Sequence, residues 1–148
     1  MKTNLWGLCA LLLTATAAMA AESHSHKTLP GPKGGRILES TPRHAEFLVR
    51  PDRKISVTFY DAALKPVAPS TEEVKAIAEA KTGKTAFEFE KTGDALVSKE
   101  ALPAGDGYRV VVLIKSQAGA KSQNFRIDYR EEICGECKRV EYACICGH

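Results

Sequence analysis

The sequence predicts an all-β protein: an immunoglobulin-like antiparallel β-sandwich, preceded by a disordered N-terminal arm and followed by a Cys-rich C-terminal tail. Two observations carry that expectation. Apolar and polar residues alternate over short stretches, the period-two pattern of strands with one buried and one wet face. Turn-forming residues separate the stretches, at Pro51-Asp52, Lys81-Thr82-Gly83, Lys91-Thr92-Gly93-Asp94 and Gly105-Asp106-Gly107. Seven or eight short strands in two packed sheets fit that rhythm.

Residues 1–20 read as a cleavable signal peptide. Lys2 gives a positive start, Leu5 to Leu13 form an apolar run, and Ala18-Met19-Ala20 is a small-residue cleavage site before Ala21. The apolar run is too short to span a bilayer, and no other stretch in the sequence is long and apolar enough to stop transfer. Leu8 stands where a lipobox would need a small residue, so Cys9 leaves with the signal. The expected destination is the periplasm or the medium, with no membrane insertion after cleavage. Removing the first 20 of 148 residues leaves 128, one domain's worth, and the formal charge of +3 falls to +2 with the loss of Lys2. Acids and bases are interspersed, so a nucleic-acid or membrane-surface role has no electrostatic footprint.

Residues 21–35 are polar and rich in Pro and Gly, which predicts a flexible arm. The sandwich is expected over 36–130. Ala45, Phe47 and Val49 supply one alternating face, then Ile55, Val57 and Phe59, then Phe87 and Phe89, then Phe125, Ile127 and Tyr129. On this pattern Phe47, Val57, Phe59, Phe89, Val112 and Phe125 should be buried, and Ser56, Thr58, Glu88 and Arg126 exposed. Val110 to Ile114 is apolar throughout, as a central strand would be. Ser70-Thr71-Glu72-Glu73 resembles a helix capping box, but the hairpin signal at Lys81 to Lys84 demands a strand before it. Val74 to Ala80 is therefore expected to be a strand.

Enzyme chemistry finds no support. Gly83-Lys84-Thr85 lacks the first glycine of a phosphate-binding loop, with Ala78 in its place. No S-x-x-K, G-x-S-x-G or H-E-x-x-H occurs, and no nucleophile–base pair stands out. The expected protein is not an enzyme.

The tail, 131–148, is where chemistry concentrates. Cys134-Gly135-Glu136-Cys137 has the spacing of a metal knuckle, and Cys144-Ile145-Cys146-Gly147-His148 places alternate ligands on one face if extended. A turn near Lys138 to Glu141 would fold the two halves together, bringing Cys134, Cys137, Cys144, Cys146 and His148 around one ion. Soft thiolates select zinc or copper(I), with either four cysteines or three cysteines and the histidine as ligands. The competing expectation is two disulfides, which an oxidising compartment favours and which would make the chain a structural or interaction module. A redox role for the C-x-x-C is a third reading. His24 and His26 could be auxiliary ligands in the arm, and His44 with Glu46 could bind a cation from one strand face.

Gly34-Gly35-Arg36-Ile37-Leu38-Glu39 followed by His44-Ala45-Glu46 resembles a segment near the N-terminus of periplasmic adaptor subunits of metal-efflux pumps. Leu102-Pro103-Ala104-Gly105-Asp106-Gly107-Tyr108 is similar to a stretch of copper-resistance β-sandwich proteins. The resemblance implies a sandwich engaged in periplasmic copper or zinc traffic, with a metal-efflux or other periplasmic partner protein. The adaptor's long helical hairpin has no counterpart, and the Cys-rich tail belongs to neither pattern. Together these readings give an exported metal-binding protein, a zinc or copper carrier, buffer or accessory factor.

Overall fold

A computed structural model describes residues 28–146. The expected signal peptide, His24, His26 and His148 lie outside the described residues.

Among the described residues, ten strands form two antiparallel sheets packed as a sandwich. The first sheet contains β1 (Arg36–Leu38), β2 (His44–Val49), β3 (Lys54–Tyr60), β8 (Ala95–Ala101) and β7 (Phe89–Thr92) in that order, with β4 (Pro66–Val67) also on β3. The second runs β10 (Gln123–Tyr129), β9 (Tyr108–Lys115), β5 (Glu73–Ala80) and β6 (Gly83–Phe87). The core lies between them. Phe47, Ile55, Val57 and Phe59 from the first sheet meet Ala76, Ala78, Phe87, Val110, Val112 and Ile127 from the second. Alternation dictates which residues these are, because a one-residue slip would turn each apolar set to water.

Val74 to Ala80 is a strand, as expected, and the box-like residues before it explain why no helix starts there. The Glu72 carboxylate accepts from the backbone N–H of Ser70 at 2.8 Å and of Thr71 at 3.2 Å, and from Arg43 at 2.7 Å. The donors a helix N-terminus would need to cap are already taken by a local turn.

Several expectations need correction. Ser56 and Thr58 are buried, Thr58 with only 2% of its surface exposed. β3 is central, between β2 and β8, and its outer face is covered as well. Over Thr58 and Glu46 the cover comes from residues 30–35, expected to belong to the flexible arm. Pro30 bridges Arg36, and the turn that follows closes over Glu46. Glu46, 1% exposed, accepts from the Lys33 N–H at 2.9 Å, the Gly35 N–H at 2.8 Å and the Tyr60 hydroxyl at 2.6 Å. A Cβ at Gly31 or Gly35 would collide with Glu46 or with the backbone around it, so the close approach requires glycine at both positions. Lys33 adds a side-chain bond to Thr58 Oγ1 at 3.1 Å. A buried carboxylate thus organises the segment that seals the outer face.

Phe87 and Phe89 do not share one strand. The chain crosses from the second sheet to the first at Glu88, so Phe87 is buried and Phe89 half-buried, in β6 and β7. Phe125 is half-buried because β10 is an edge strand. Glu88 and Arg126 are exposed as expected. β9 is central in its sheet, although Val111 and Leu113 on its outer face are only half-buried. Among the described residues, no helix is long and apolar enough to cross a membrane.

Candidate metal centre

After β10 the chain turns back on itself as a short hairpin. Ile133 bridges Val140, the Cys134 N–H donates to the Arg139 carbonyl at 2.8 Å, and the Glu141 N–H to the Glu132 carbonyl at 2.7 Å. The tip is Cys134 to Arg139. There the Lys138 N–H donates back to the Cys134 carbonyl at 3.1 Å, and Lys138 takes a left-handed φ of 59°. That reversal points the Cys134 and Cys137 side chains the same way. Lys138 is no glycine, so the turn carries a local backbone cost, offset by the bonds it closes.

A single 3-10 turn, Glu141–Ala143, then brings the second pair of cysteines to the first. It is held by the Ala143 N–H on the Val140 carbonyl at 2.9 Å and the Cys144 N–H on the Glu141 carbonyl at 3.0 Å. Tyr142 fixes where this turn sits. Its ring, 4% exposed, meets Phe47 edge-on at 5.7 Å and Tyr129 at 5.4 Å, and its hydroxyl accepts from the Val49 N–H at 3.0 Å. The turn lies against β1 and β10, the edge strands that flank one seam of the sandwich. The tail is therefore docked into the core cluster, to which Tyr142 and Ala143 belong.

This docking brings the four cysteines together. Their Sγ atoms all lie within 4.8 Å of one another, and no disulfide joins them. Sγ–Sγ separations are 3.4 Å for Cys134–Cys144, 3.7 Å for Cys137–Cys144 and 4.0 Å for Cys134–Cys146. A disulfide would need about 2.05 Å. Four thiolates at about 2.3 Å from one tetrahedral ion would sit about 3.8 Å apart. The observed spread brackets that edge length. Cys134 is buried at the base, while Cys137, Cys144 and Cys146 are half-buried towards the surface.

The surroundings shift the thiols in different directions. N–H groups of Ile145 and then Arg139 aim at the Cys137 sulfur and hold its pKa below the ordinary thiol value. Cys146 is pushed up, by burial first and then by the neighbouring thiols and Glu136. For Cys144 the Cys146 N–H, 3.3 Å from its sulfur, acts to lower the pKa, but burial and the adjacent Cys134 and Cys137 outweigh it and the net shift is upward. Once one thiolate has formed, its neighbours resist ionising unless a positive ion compensates them. Arg139 contributes some charge from the hairpin, and its Nη1 is buried with no hydrogen-bond partner among the described residues.

Four of the five expected ligands thus converge, and the fifth, His148, lies outside the described residues. The weaker reading, a cation held by His44 and Glu46, gains no support, because both Glu46 oxygens are taken up by the turn and by Tyr60. Sequence reasoning placed the turn near Lys138, where the structure has it, but did not single out Tyr142. The signal for Tyr142 was faint: one aromatic residue in an otherwise polar, Cys-rich stretch. Among the described residues the four cysteines are the one cluster of metal-ligating groups. No family model, curated protein or solved structure matches the chain.

Proposed function

We propose that this protein is an exported, non-enzymatic metal-binding protein that holds one zinc ion in its four-cysteine hairpin and serves as a carrier, buffer or accessory factor for that metal. One observation carries the reading: four Sγ atoms within 4.8 Å of one another, unbridged. Zinc takes four thiolates tetrahedrally and needs no redox partner, which suits a site spaced near a tetrahedral edge. Copper(I) shares the preference for sulfur and is the competing occupant. Export is supported by the leader pattern of Met1 to Ala20. A periplasmic metal-efflux partner is suggested only by the resemblance at Gly34 to Glu46.

Cys137, Cys144 and Cys146 are only half-buried residues, which supports exchange of the ion with a partner's ligands. Titration of the reduced chain with zinc against a competing chelator, under anaerobic conditions, tests the reading. One ion per chain is expected. Cobalt(II) in its place should give sulfur-to-metal charge-transfer bands and the visible absorption of tetrahedral coordination. Cys137→Ser and Cys144→Ser should each lower zinc affinity by more than tenfold, because either change opens the shell. Reduced protein that binds neither zinc nor copper(I) at one-to-one stoichiometry overturns the proposal.

A further inference from the structure

The four sulfurs that would hold an ion can also be closed without one. Pairing within the halves would require both Cys134–Cys137 and Cys144–Cys146, and the second of these is strained across a single intervening residue. Pairing between the halves meets no such obstacle. Cys137 and Cys144 are 3.7 Å apart and Cys134 and Cys146 are 4.0 Å apart, which together use all four sulfurs. The other crosswise set begins with Cys134 and Cys144 at 3.4 Å, and its remaining pair, Cys137 and Cys146, lies within 4.8 Å. Either set needs sulfur movements of about 2 Å, or less than 3 Å for the widest pair, to reach bonding distance.

Both sets share a topological property. Residues 138–143 lie inside every crosswise loop, so each bridge encloses Tyr142, just as an ion joining the two halves would. We infer that the tail is a redox-exchangeable staple: reduced, it is closed by one metal ion; oxidised, by two crosswise disulfides that release the ion and leave Tyr142 docked. This rests on the metal-binding reading above and adds its regulation. The oxidant class is a peroxide. A thiolate attacks one peroxide oxygen and becomes a sulfenic acid, and a neighbouring thiol then displaces water to form the S–S bond. For the zinc tetrathiolate dianion, two hydrogen peroxide and four protons give Zn²⁺, two disulfides and four waters. Four electrons pass from sulfur to oxygen. Because every sulfur has its three neighbours within 4.8 Å, a resolving thiol is at hand wherever oxidation begins.

The test uses the chain from Ala21 onward, zinc-loaded and titrated with hydrogen peroxide beside a chromogenic chelator. A reduced, metal-free sample is oxidised in parallel. Expected are one zinc released per chain, a mass loss of about 4 Da for two disulfides, and only crosswise bridges in a non-reducing peptide map. The thermal midpoint of the oxidised protein should lie within about 4 °C of the zinc form, a difference under about 1 kcal/mol, and above that of the reduced metal-free form. Dithiothreitol should restore zinc binding. Zinc-binding protein that instead yields sulfinic acids, interchain bridges or a single disulfide overturns the switch while leaving the proposed function standing. An oxidised protein whose midpoint falls to the reduced metal-free value does the same. A reduced chain that takes up no zinc yet forms both crosswise bridges overturns the metal reading itself and leaves a plain disulfide staple.

Discussion

Removing the ring of Tyr142 would empty a space bounded by Phe47 and Tyr129, and removing only its hydroxyl would leave the Val49 N–H without its acceptor. Tyr142→Ala should cost about 3–5 kcal/mol and Tyr142→Phe about 1–2 kcal/mol, read from denaturant unfolding. Equal, negligible effects would mean that the tail does not dock as described. Glu46→Ala offers a second check at this scale, because it strands the N–H groups of Lys33 and Gly35 and the Tyr60 hydroxyl together. A loss of about 3–5 kcal/mol is expected, the cost of leaving a buried polar set half-satisfied. Individual residues were unevenly legible in the sequence. The cysteines announced themselves by spacing, since metal and disulfide chemistry both need close sulfurs. Tyr142 did not, because one aromatic side chain has no period to read. Glu46 looked like a surface carboxylate on alternation alone. Its burial depends on a turn eleven or more residues upstream, which local pattern does not reveal.

At the scale of elements, the tail hairpin should respond to its tip. Lys138 sits at positive φ, so Lys138→Gly should be tolerated or stabilising, whereas the β-branched Lys138→Val should cost about 1 kcal/mol or more. Zinc affinity follows the same order if the tip sets the ligand geometry, and a competitive chelator titration of the two variants would show it. Affinity should also fall with acid, since thiols must lose protons to bind, and zinc uptake in weakly buffered solution should release protons. Strands were legible here because alternation is a local signal. The strand from Glu73 to Ala80 was recoverable once the following hairpin was given weight over the capping box. The break at Glu88 was not, because an interruption between two phenylalanines keeps the same alternation whether the chain stays in one sheet or crosses to the other. The fold-back of the tail was expected in outline; its 3-10 turn and its seat against β1 and β10 depend on long-range packing.

For the whole molecule, the two sheets are joined across their faces by the core and near one seam by the docked tail. The alternation that gives a sandwich says nothing about which edge needs closing, so the tail's structural share was invisible in the sequence. A further expectation concerns pH. Burial alone would raise the pKa of Glu72, but the N–H groups of Ser70, Glu72 itself and Thr71, with Arg43, outweigh it and hold the carboxyl below its ordinary value. A depressed folded-state pKa contributes stability that is complete above the ordinary carboxylate range and is lost as pH falls through the folded value. The thermal midpoint should therefore drop on acidification from roughly pH 6 to pH 3, and Glu72→Gln should make that drop shallower. If the chain is exported as proposed, N-terminal sequencing of the mature protein should begin at Ala21.

The hairpin from Glu132 to Glu141 also sets the path that mechanical load would take through the molecule. Its backbone bonds, Cys134 to Arg139 and Glu141 to Glu132, lie one after another along a ladder. A pull applied beyond Cys146 would open such a ladder rung by rung, at low force. An ion shared by Cys134, Cys137, Cys144 and Cys146 short-circuits it, passing tension from the far arm straight to the near one. The metal–sulfur bonds would then act as a fuse in series with β10: the sheets would carry the full tension while it held, and its parting would free the slack of the hairpin and relieve them.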